Sequence, residues 1–179
     1  MPDAAIKTRL TRGLLETEGA LYCLRLYEET GQGRQQWAQR LGLTDLPAPG
    51  RSSTAGGVCT VWIEPKAWLL LSEIREERVL ENLLAAENTQ DGGILTDLSA
   101  GLRVITLAGA DATAVLAAGC PLPLGEARFG LHDAASSHFN EIPIRIVYRR
   151  PGPVFSVLCE RSHAANLLAL FDNAVGRGP

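Results

Sequence analysis

Residues 94–124 constrain the fold more than any other part of this 179-residue chain. Residues 102–107 are rich in β-branched and apolar side chains and too few for a typical helix, so they are predicted to form a strand. Gly109 permits a sharp reversal after that strand. Asp111 then falls in the first turn of a helix, where a carboxylate opposes the positive end of the helix dipole. Gly119 is predicted to end this short, alanine-rich helix in the left-handed conformation.

The chain before this stretch has the element order of a ferredoxin-like unit. Strands are predicted at residues 20–27, 58–64, 68–71 and 94–98, and helices at residues 34–41 and 73–87. Residues 47–57 are rich in proline, glycine and serine and are predicted to be a surface loop. Residues 20–98 therefore give the order β-α-β-β-α-β.

The second half of the chain repeats this order but lacks the last strand. Strands are predicted at residues 102–107, 142–148 and 154–159, and helices at residues 110–118 and 162–173, with Ser162 as a natural N-cap. A long loop is predicted at residues 120–136. We expect an α+β fold in which ferredoxin-like halves, residues 20–98 and 102–173, form one domain over residues 20–175. Residues 1–19 are interpreted as an N-terminal arm.

Composition narrows the function classes. The chain is 46% hydrophobic and 21% charged, which is typical of a folded protein. The net charge of −3 and the 6% aromatic content argue against nucleic-acid binding. Residues 1–13 carry charges without an apolar core, so they do not resemble a signal peptide. The longest apolar run, residues 67–71, is too short to span a bilayer. We expect a cytoplasmic protein without nucleic-acid or membrane partners.

The cysteines and histidines do not form a metal-binding pattern. No C-x-x-C pair occurs among Cys23, Cys59, Cys120 and Cys159, which are interpreted as reduced thiols that behave as small hydrophobes. His132 and His138 fall in the long loop, and His163 falls in the first turn of the last helix. A metal site usually needs closer ligand spacing than these residues offer. No metal-binding residue is therefore predicted.

The glycines and carboxylates offer few candidates for chemistry. Gly31 and Gly33 resemble the start of a dinucleotide fingerprint, but Gln36 stands where the third glycine belongs, so a loop is the preferred interpretation. Asp97 ends an apolar strand and is either a catalytic base with a raised pKa or a structural acceptor near Ser99. The structural role is preferred. No catalytic motif and no cofactor-binding residue is predicted.

Trp62 is the remaining candidate. It lies on the less apolar face of its predicted strand. It either covers a second helix layer or anchors a protein–protein interface, because buried tryptophans often dominate binding energy.

Five short motifs together resemble one protein family. They are Pro65 to Leu70, Thr96 to Ser99, the Gly109-x-x-Ala112 turn, Val115 to Leu122, and Arg161 to Ala164. In this order and spacing they resemble the gamma subunit of heterotetrameric sarcosine oxidase, which shares a fold with the glycine-cleavage T-protein. The resemblance extends over residues 58–171.

The resemblance implies a non-catalytic structural subunit with no catalytic, cofactor-binding or metal residue of its own. Its partners would be larger flavin-binding subunits that hold FAD, FMN, NAD and zinc. The implied complex oxidises sarcosine to glycine, releases hydrogen peroxide and passes the one-carbon unit to tetrahydrofolate.

Three alternatives remain open at this point. Pro123 and His163 depart from the family pattern, which keeps open a related multisubunit dehydrogenase of another N-methyl amino acid, such as N-methylglutamate. A free-standing folate-binding protein like the T-protein would need Asp97 with Arg103 or Arg161 in one pocket. A homodimeric interaction module is the third alternative.

Overall fold

A computed structural model describes residues 14–17, 21–27, 31–72, 92–125 and 127–175. The chain divides into two compact units, Gly19–Ala100 and the combination of Met1–Glu18 with Gly101–Pro179. The predicted helix at residues 73–87 lies outside the described residues. The predicted domain boundaries otherwise remain a prediction.

In chain order, the described secondary-structure elements are β1 (Leu14–Thr17), β2 (Leu21–Leu26), α1 (Gly31–Arg40), β3 (Ser52–Ala55), β4 (Val58–Glu64), β5 (Ala67–Ser72), β6 (Gly93–Asp97), β7 (Leu102–Ala108), α2 (Ala112–Ala117), β8 (Ala134–Phe139), β9 (Ile142–Arg150), β10 (Val154–Glu160) and α3 (Arg161–Val175). The apolar strands predicted from the sequence are all present. Their bounds differ from the predicted ones by at most two residues.

Each unit contains one five-stranded antiparallel sheet, and the two sheets share one strand order. The first unit has the order β3-β4-β5-β2-β6, and the second has β8-β9-β10-β7-β1. In the second sheet, β1 pairs with β7 at the position where β6 pairs with β2 in the first. The strand that seemed absent from the second half is therefore supplied by the N-terminal residues. The prediction of an N-terminal arm is wrong for Leu14–Thr17, which form β1. Residues 1–13 and 18–19 lie outside the described residues.

Two further edge strands, in addition to β1, were missed by the sequence analysis. β3 lies inside the predicted loop at residues 47–57, and β8 begins inside the predicted loop at residues 120–136. β3 consists of serine, threonine and alanine, and β8 begins with two alanines and two serines before His138 and Phe139. They lack the alternation of apolar and polar side chains on which strand prediction depends.

The core of the first unit is centred on two tryptophans. Trp37 of α1 and Trp68 of β5 are each 2% exposed and belong to one buried cluster with Leu70. The Trp68 indole N–H donates a hydrogen bond of 2.9 Å to the carbonyl oxygen of Pro47. The Arg34 guanidinium lies 5.3 Å from the centroid of the Trp68 ring, a cation–π distance. These contacts attach the loop after α1 to the sheet.

α1 itself corrects one prediction. The helix begins at Gly31, so Gly31 and Gly33 lie in its first turn and not in a loop.

The core of the second unit is formed by β7, β9 and β10 against α2 and α3. Ala164, Leu167 and Phe171 of α3 are buried and recur at the spacing of one helix face. The rings of Phe139 and Phe171 pack edge to face with centroids 4.8 Å apart. The helix begins at Arg161, so Ser162 lies inside it and the predicted N-cap is wrong.

Gly119 follows α2 and has a different role from the one predicted. It is not among the glycines with positive φ, so the predicted left-handed conformation is wrong. A Cβ atom at this position would instead lie 2.8 Å from two atoms of the Phe139 ring and 2.9 Å from Asn140 Oδ1. Glycine is required at this position because a Cβ atom would collide with the Phe139 ring and with Asn140. Gly109 has a φ of +111° and makes the sharp reversal predicted for it.

Asp45 gives the first unit a small pH dependence. The hydrogen bond from Arg34 holds the pKa of the Asp45 carboxyl below its usual value of 3.8. A lowered pKa in the folded state stabilises the fold above the unfolded pKa, and this contribution is lost as the pH falls through the folded pKa. Because the Asp45 side chain is 64% exposed, water screens the pair, and the contribution should be at most about 1 kcal/mol.

We expect Asp45→Asn to lower the free energy of unfolding slightly at neutral pH and to be equivalent to the wild type in acid. Urea unfolding at several pH values measures the difference. Glu141→Gln is the control, because Glu141 is exposed in the turn before β9 and accepts no side-chain hydrogen bond from the described residues. A difference that grows in acid would contradict the assignment.

Candidate functional site

Asp97 forms a local turn at the end of β6. Its Oδ1 accepts a hydrogen bond of 2.8 Å from the backbone N–H of Ser99. The Ser99 hydroxyl in turn accepts a bond of 2.9 Å from the N–H of Leu21. The turn fixes the end of β6 to the start of β2, and Asp97 is exposed, as a carboxylate in a surface turn usually is. Asp97 thus accepts the hydrogen bond near Ser99 that the structural interpretation predicts.

The two arginines considered with Asp97 lie in the other compact unit. Arg103 is half-buried in β7 and donates a 3.0 Å hydrogen bond to the carbonyl oxygen of Leu102. Arg161 is exposed at the start of α3, and its backbone N–H donates to the carbonyl oxygen of Gly101. The folate pocket considered from the sequence stays a hypothesis.

The three histidines are separated along the second unit. His132 has a φ of +68° and is half-buried, and His138 is exposed on β8, where its Nδ1 lies 2.6 Å from the carbonyl oxygen of Asn140. His163 is half-buried in the first turn of α3. His138 therefore lies on a strand and not in the predicted loop. Across the described ranges, no group of three or more His, Cys, Asp or Glu side chains could hold a metal ion.

The four cysteines form no disulfide. Cys59, Cys120 and Cys159 are buried, while Cys23 is half-buried on β2. Burial raises the pKa of the Cys23 thiol above its usual value of 9.0, an effect that the charge of Arg25 opposes and that of Glu64 reinforces. Arg25 and Glu64 form an exposed ion pair beside it.

We expect Cys23 to be alkylated before the other thiols but more slowly at mildly alkaline pH than an unperturbed thiol, because less of it is thiolate. Arg25→Gln should slow the reaction further by removing the charge that favours the thiolate. Mass-spectrometric rates of iodoacetamide labelling across pH, with Cys23→Ser as the control, give the apparent pKa. A midpoint at or below 9.0 would contradict the raised pKa.

The remaining candidates are partly exposed apolar side chains on the two faces of the first sheet. Trp62 is half-buried, packs at the margin of the first core and lies opposite Trp68 across the β4–β5 pair. Tyr27 and Ile94 are 60% and 41% exposed. They lie on the same side of the β2–β6 pair, because Ile94 pairs with Arg25 and Tyr27 follows two residues later. Trp62 as an interface anchor stays a prediction.

The strand order and the packing of helices against the sheets define an α+β protein with a T-protein-like fold, which confirms the predicted fold class. One solved structure carries that comparison, the glycine cleavage system aminomethyltransferase T from Bartonella henselae. It matches with a TM-score of 0.63 and 12% identity over 89% of this chain and 45% of that chain. At this identity the likeness shows the fold alone.

Among curated proteins, the chain is similar to the sarcosine oxidase subunit gamma of Corynebacterium sp. (strain U-96), with 33% identity over 88 residues. The matched segment is 49% of this chain and 42% of that protein, so it spans less than half of the relative's length. A chain of the heterotetrameric sarcosine oxidase from Corynebacterium sp. U-96, solved in complex with pyrrole 2-carboxylate, matches with a TM-score of 0.74 and 26% identity. That match covers 91% of this chain and 83% of the other.

These comparisons confirm the resemblance predicted from the sequence. No protein-family model matches the chain. No helix in the described part of the chain is both long enough and apolar enough to cross a membrane.

Proposed function

We propose that the chain is a structural subunit of a multisubunit, flavin-dependent sarcosine oxidase. One observation carries the proposal, namely the match in fold to a chain of a heterotetrameric sarcosine oxidase over 91% of this chain and 83% of that one. A match over these shares of the two chains leaves little of either chain unmatched. It is supported by the sequence identity to a gamma subunit.

In this proposal the chain has a structural role in the complex and no catalytic role. The larger partner subunits carry FAD, FMN, NAD and zinc, and they oxidise sarcosine to glycine, produce peroxide and transfer the one-carbon unit to tetrahydrofolate. The complex is cytoplasmic. The scattered histidines and the turn role of Asp97 agree with this division of labour.

Purification of the tagged chain from its own host tests the proposal. We expect larger, flavin-containing chains to be recovered with it, together with peroxide production from sarcosine. Turnover of another N-methyl amino acid in place of sarcosine would keep the architecture and change the substrate to that of a related dehydrogenase. A solitary chain whose melting temperature rises with tetrahydrofolate would replace the proposal with a free-standing folate-binding protein.

A further inference from the structure

Two hydroxyl groups are buried in the first sheet without a hydrogen-bond partner. Thr60 of β4 is 1% exposed, and Ser72 at the end of β5 is 6% exposed. Neither Thr60 Oγ1 nor Ser72 Oγ has a hydrogen-bond partner among the residues that the structure describes, and both oxygens are inaccessible to solvent. A buried hydroxyl without a partner is unfavourable, because it has given up its hydrogen bonds to water. Such groups are rare in folded proteins.

The register of the β4–β5 pair makes these two hydroxyls neighbours. Thr60 lies opposite Leu70. Val58, two residues before Thr60, lies opposite Ser72. Because residues two apart on a strand point to the same face, Thr60 and Ser72 share a face and are diagonal neighbours.

The distance between diagonal neighbours suits a bridge of one water molecule. Their Cα atoms are about 7–8 Å apart in an antiparallel pair, and their Cβ atoms are somewhat closer. A water that bonds to two hydroxyl oxygens can span up to about 5.6 Å between them, because each O–H···O bond is about 2.8 Å long. The Thr60 and Ser72 side chains are short and form no direct hydrogen bond with each other.

The groups around the two hydroxyls do not satisfy them. Val58 and Leu70, the residues opposite Ser72 and Thr60 in the β4–β5 pair, are apolar and buried. Ser53 lies opposite Thr60 on β3, but it does not bond to the Thr60 hydroxyl. β4 and β5 each have a neighbouring strand on both sides, so their backbone groups are used by the ladders of the sheet.

Trp37 shows why two converging groups are needed. Its Nε1 is also buried and has no partner in the described part of the chain. This nitrogen packs over Gly93, where a Cβ atom would lie only 2.6 Å from it. A buried water needs two to four polar partners and room for its own volume. The single donor of Trp37 does not meet the first condition, whereas Thr60 and Ser72 together do.

We propose that Thr60 and Ser72 form a binding site for one internal water molecule. A hydroxyl donates one hydrogen bond and accepts up to two, so the water can donate to one of these oxygens and accept from the other. The bridge links β4 to β5 on the face that carries the first core. The proposal does not depend on the proposed function, because it concerns only the interior of the first unit.

Thr60→Val tests the bridge, because valine keeps the branched shape and removes the hydroxyl. If the water is bound, it loses a partner, and we expect the equilibrium constant for folding to fall at least about fivefold. If the two hydroxyls are buried dry, the same change removes an unsatisfied group, and the constant should stay unchanged or rise. Urea unfolding of the full chain measures the constant, and an unchanged or raised value overturns the proposal.

Thr54→Val is the matched control for the loss of a hydroxyl from a strand. Thr54 is exposed on the neighbouring strand β3. Bulk water replaces nothing that this hydroxyl holds in the interior, so we expect the constant to change by less than about twofold. An equal fall for Thr54→Val and Thr60→Val would assign the effect to strand propensity and overturn the proposal.

Ser72→Ala tests whether the two hydroxyls share one water. In the wild type we expect this change to lower the folding constant at least about threefold. In the Thr60→Val background the bridge is already broken, so the same change should cost less than about twofold. Equal losses in the two backgrounds overturn the shared water.

A high-resolution crystal structure of the wild-type chain decides the proposal even if the variants do not fold. We expect a solvent peak about 2.8 Å from both Thr60 Oγ1 and Ser72 Oγ. Electron density without a peak between these oxygens, or a direct hydrogen bond between them, overturns the proposal. Either result leaves the proposed function unchanged.

Discussion

Replacing Trp68 with alanine is expected to lower the free energy of unfolding by about 3–5 kcal/mol. Trp68 is 2% exposed at the centre of the first core, so truncation leaves a large cavity. It also removes the indole donor that satisfies the carbonyl oxygen of Pro47 and the ring on which Arg34 stacks. Urea unfolding followed by circular dichroism measures the change.

Trp62→Ala is the matched control, because it deletes the same side chain from the facing position on β4. Trp62 is only half-buried, so its truncation should cost clearly less stability than that of Trp68. If Trp62 anchors an interface, the same variant should instead weaken assembly by about 2 kcal/mol or more. Equal losses of stability for the two variants would contradict the packing described for this sheet.

Replacing Gly119 with alanine is expected to destabilise the second unit by about 1–3 kcal/mol. The added Cβ would lie 2.8 Å from the Phe139 ring, which is 2% exposed and packed against Phe171, so the ring has little room to move. The same substitution also displaces the carbonyl of Gly119 that accepts the N–H of Asn140. Thermal and urea unfolding measure the loss.

Gly125→Ala is the control for Gly119→Ala. A Cβ at Gly125 would meet nothing within 4 Å, and its φ is not positive. It should therefore leave stability unchanged or raise it slightly by restricting the unfolded chain. A Gly119→Ala protein as stable as the Gly125→Ala protein would show that Phe139 can move aside. That result would contradict the requirement for glycine at position 119.

The sequence predicts the interior of this fold well because the interior has a periodic signal. β4, β9 and β10 alternate or run apolar over their whole length, and the stripe of α3 recurs at helical spacing. These patterns arise because one face of each element is buried, and side-chain burial is the structural property that a sequence predicts best.

The parts of the fold that were missed lie at the margins of the sheets. β1 has four residues whose partner, β7, is distant in the chain. Its pairing depends on the second half of the protein, and no local pattern signals that. Gly119 shows the same limit at one residue, because a glycine required by a distant ring cannot be told from a helix-ending glycine by its neighbours alone.

The turn role of Asp97 follows from its position two residues before Ser99, so local sequence was sufficient. The strand position of His138 could not be predicted in this way, because β8 begins with two alanines and two serines and has no alternation of apolar and polar side chains.

Anaerobic absorbance spectroscopy of the material that co-purifies with the tagged chain tests the central claim most directly. If the chain is a subunit of a sarcosine oxidase, the preparation will show a flavin spectrum that bleaches when sarcosine is added and recovers with oxygen. A colourless preparation that contains this chain alone, obtained from host cells that have sarcosine oxidase activity, would contradict the claim.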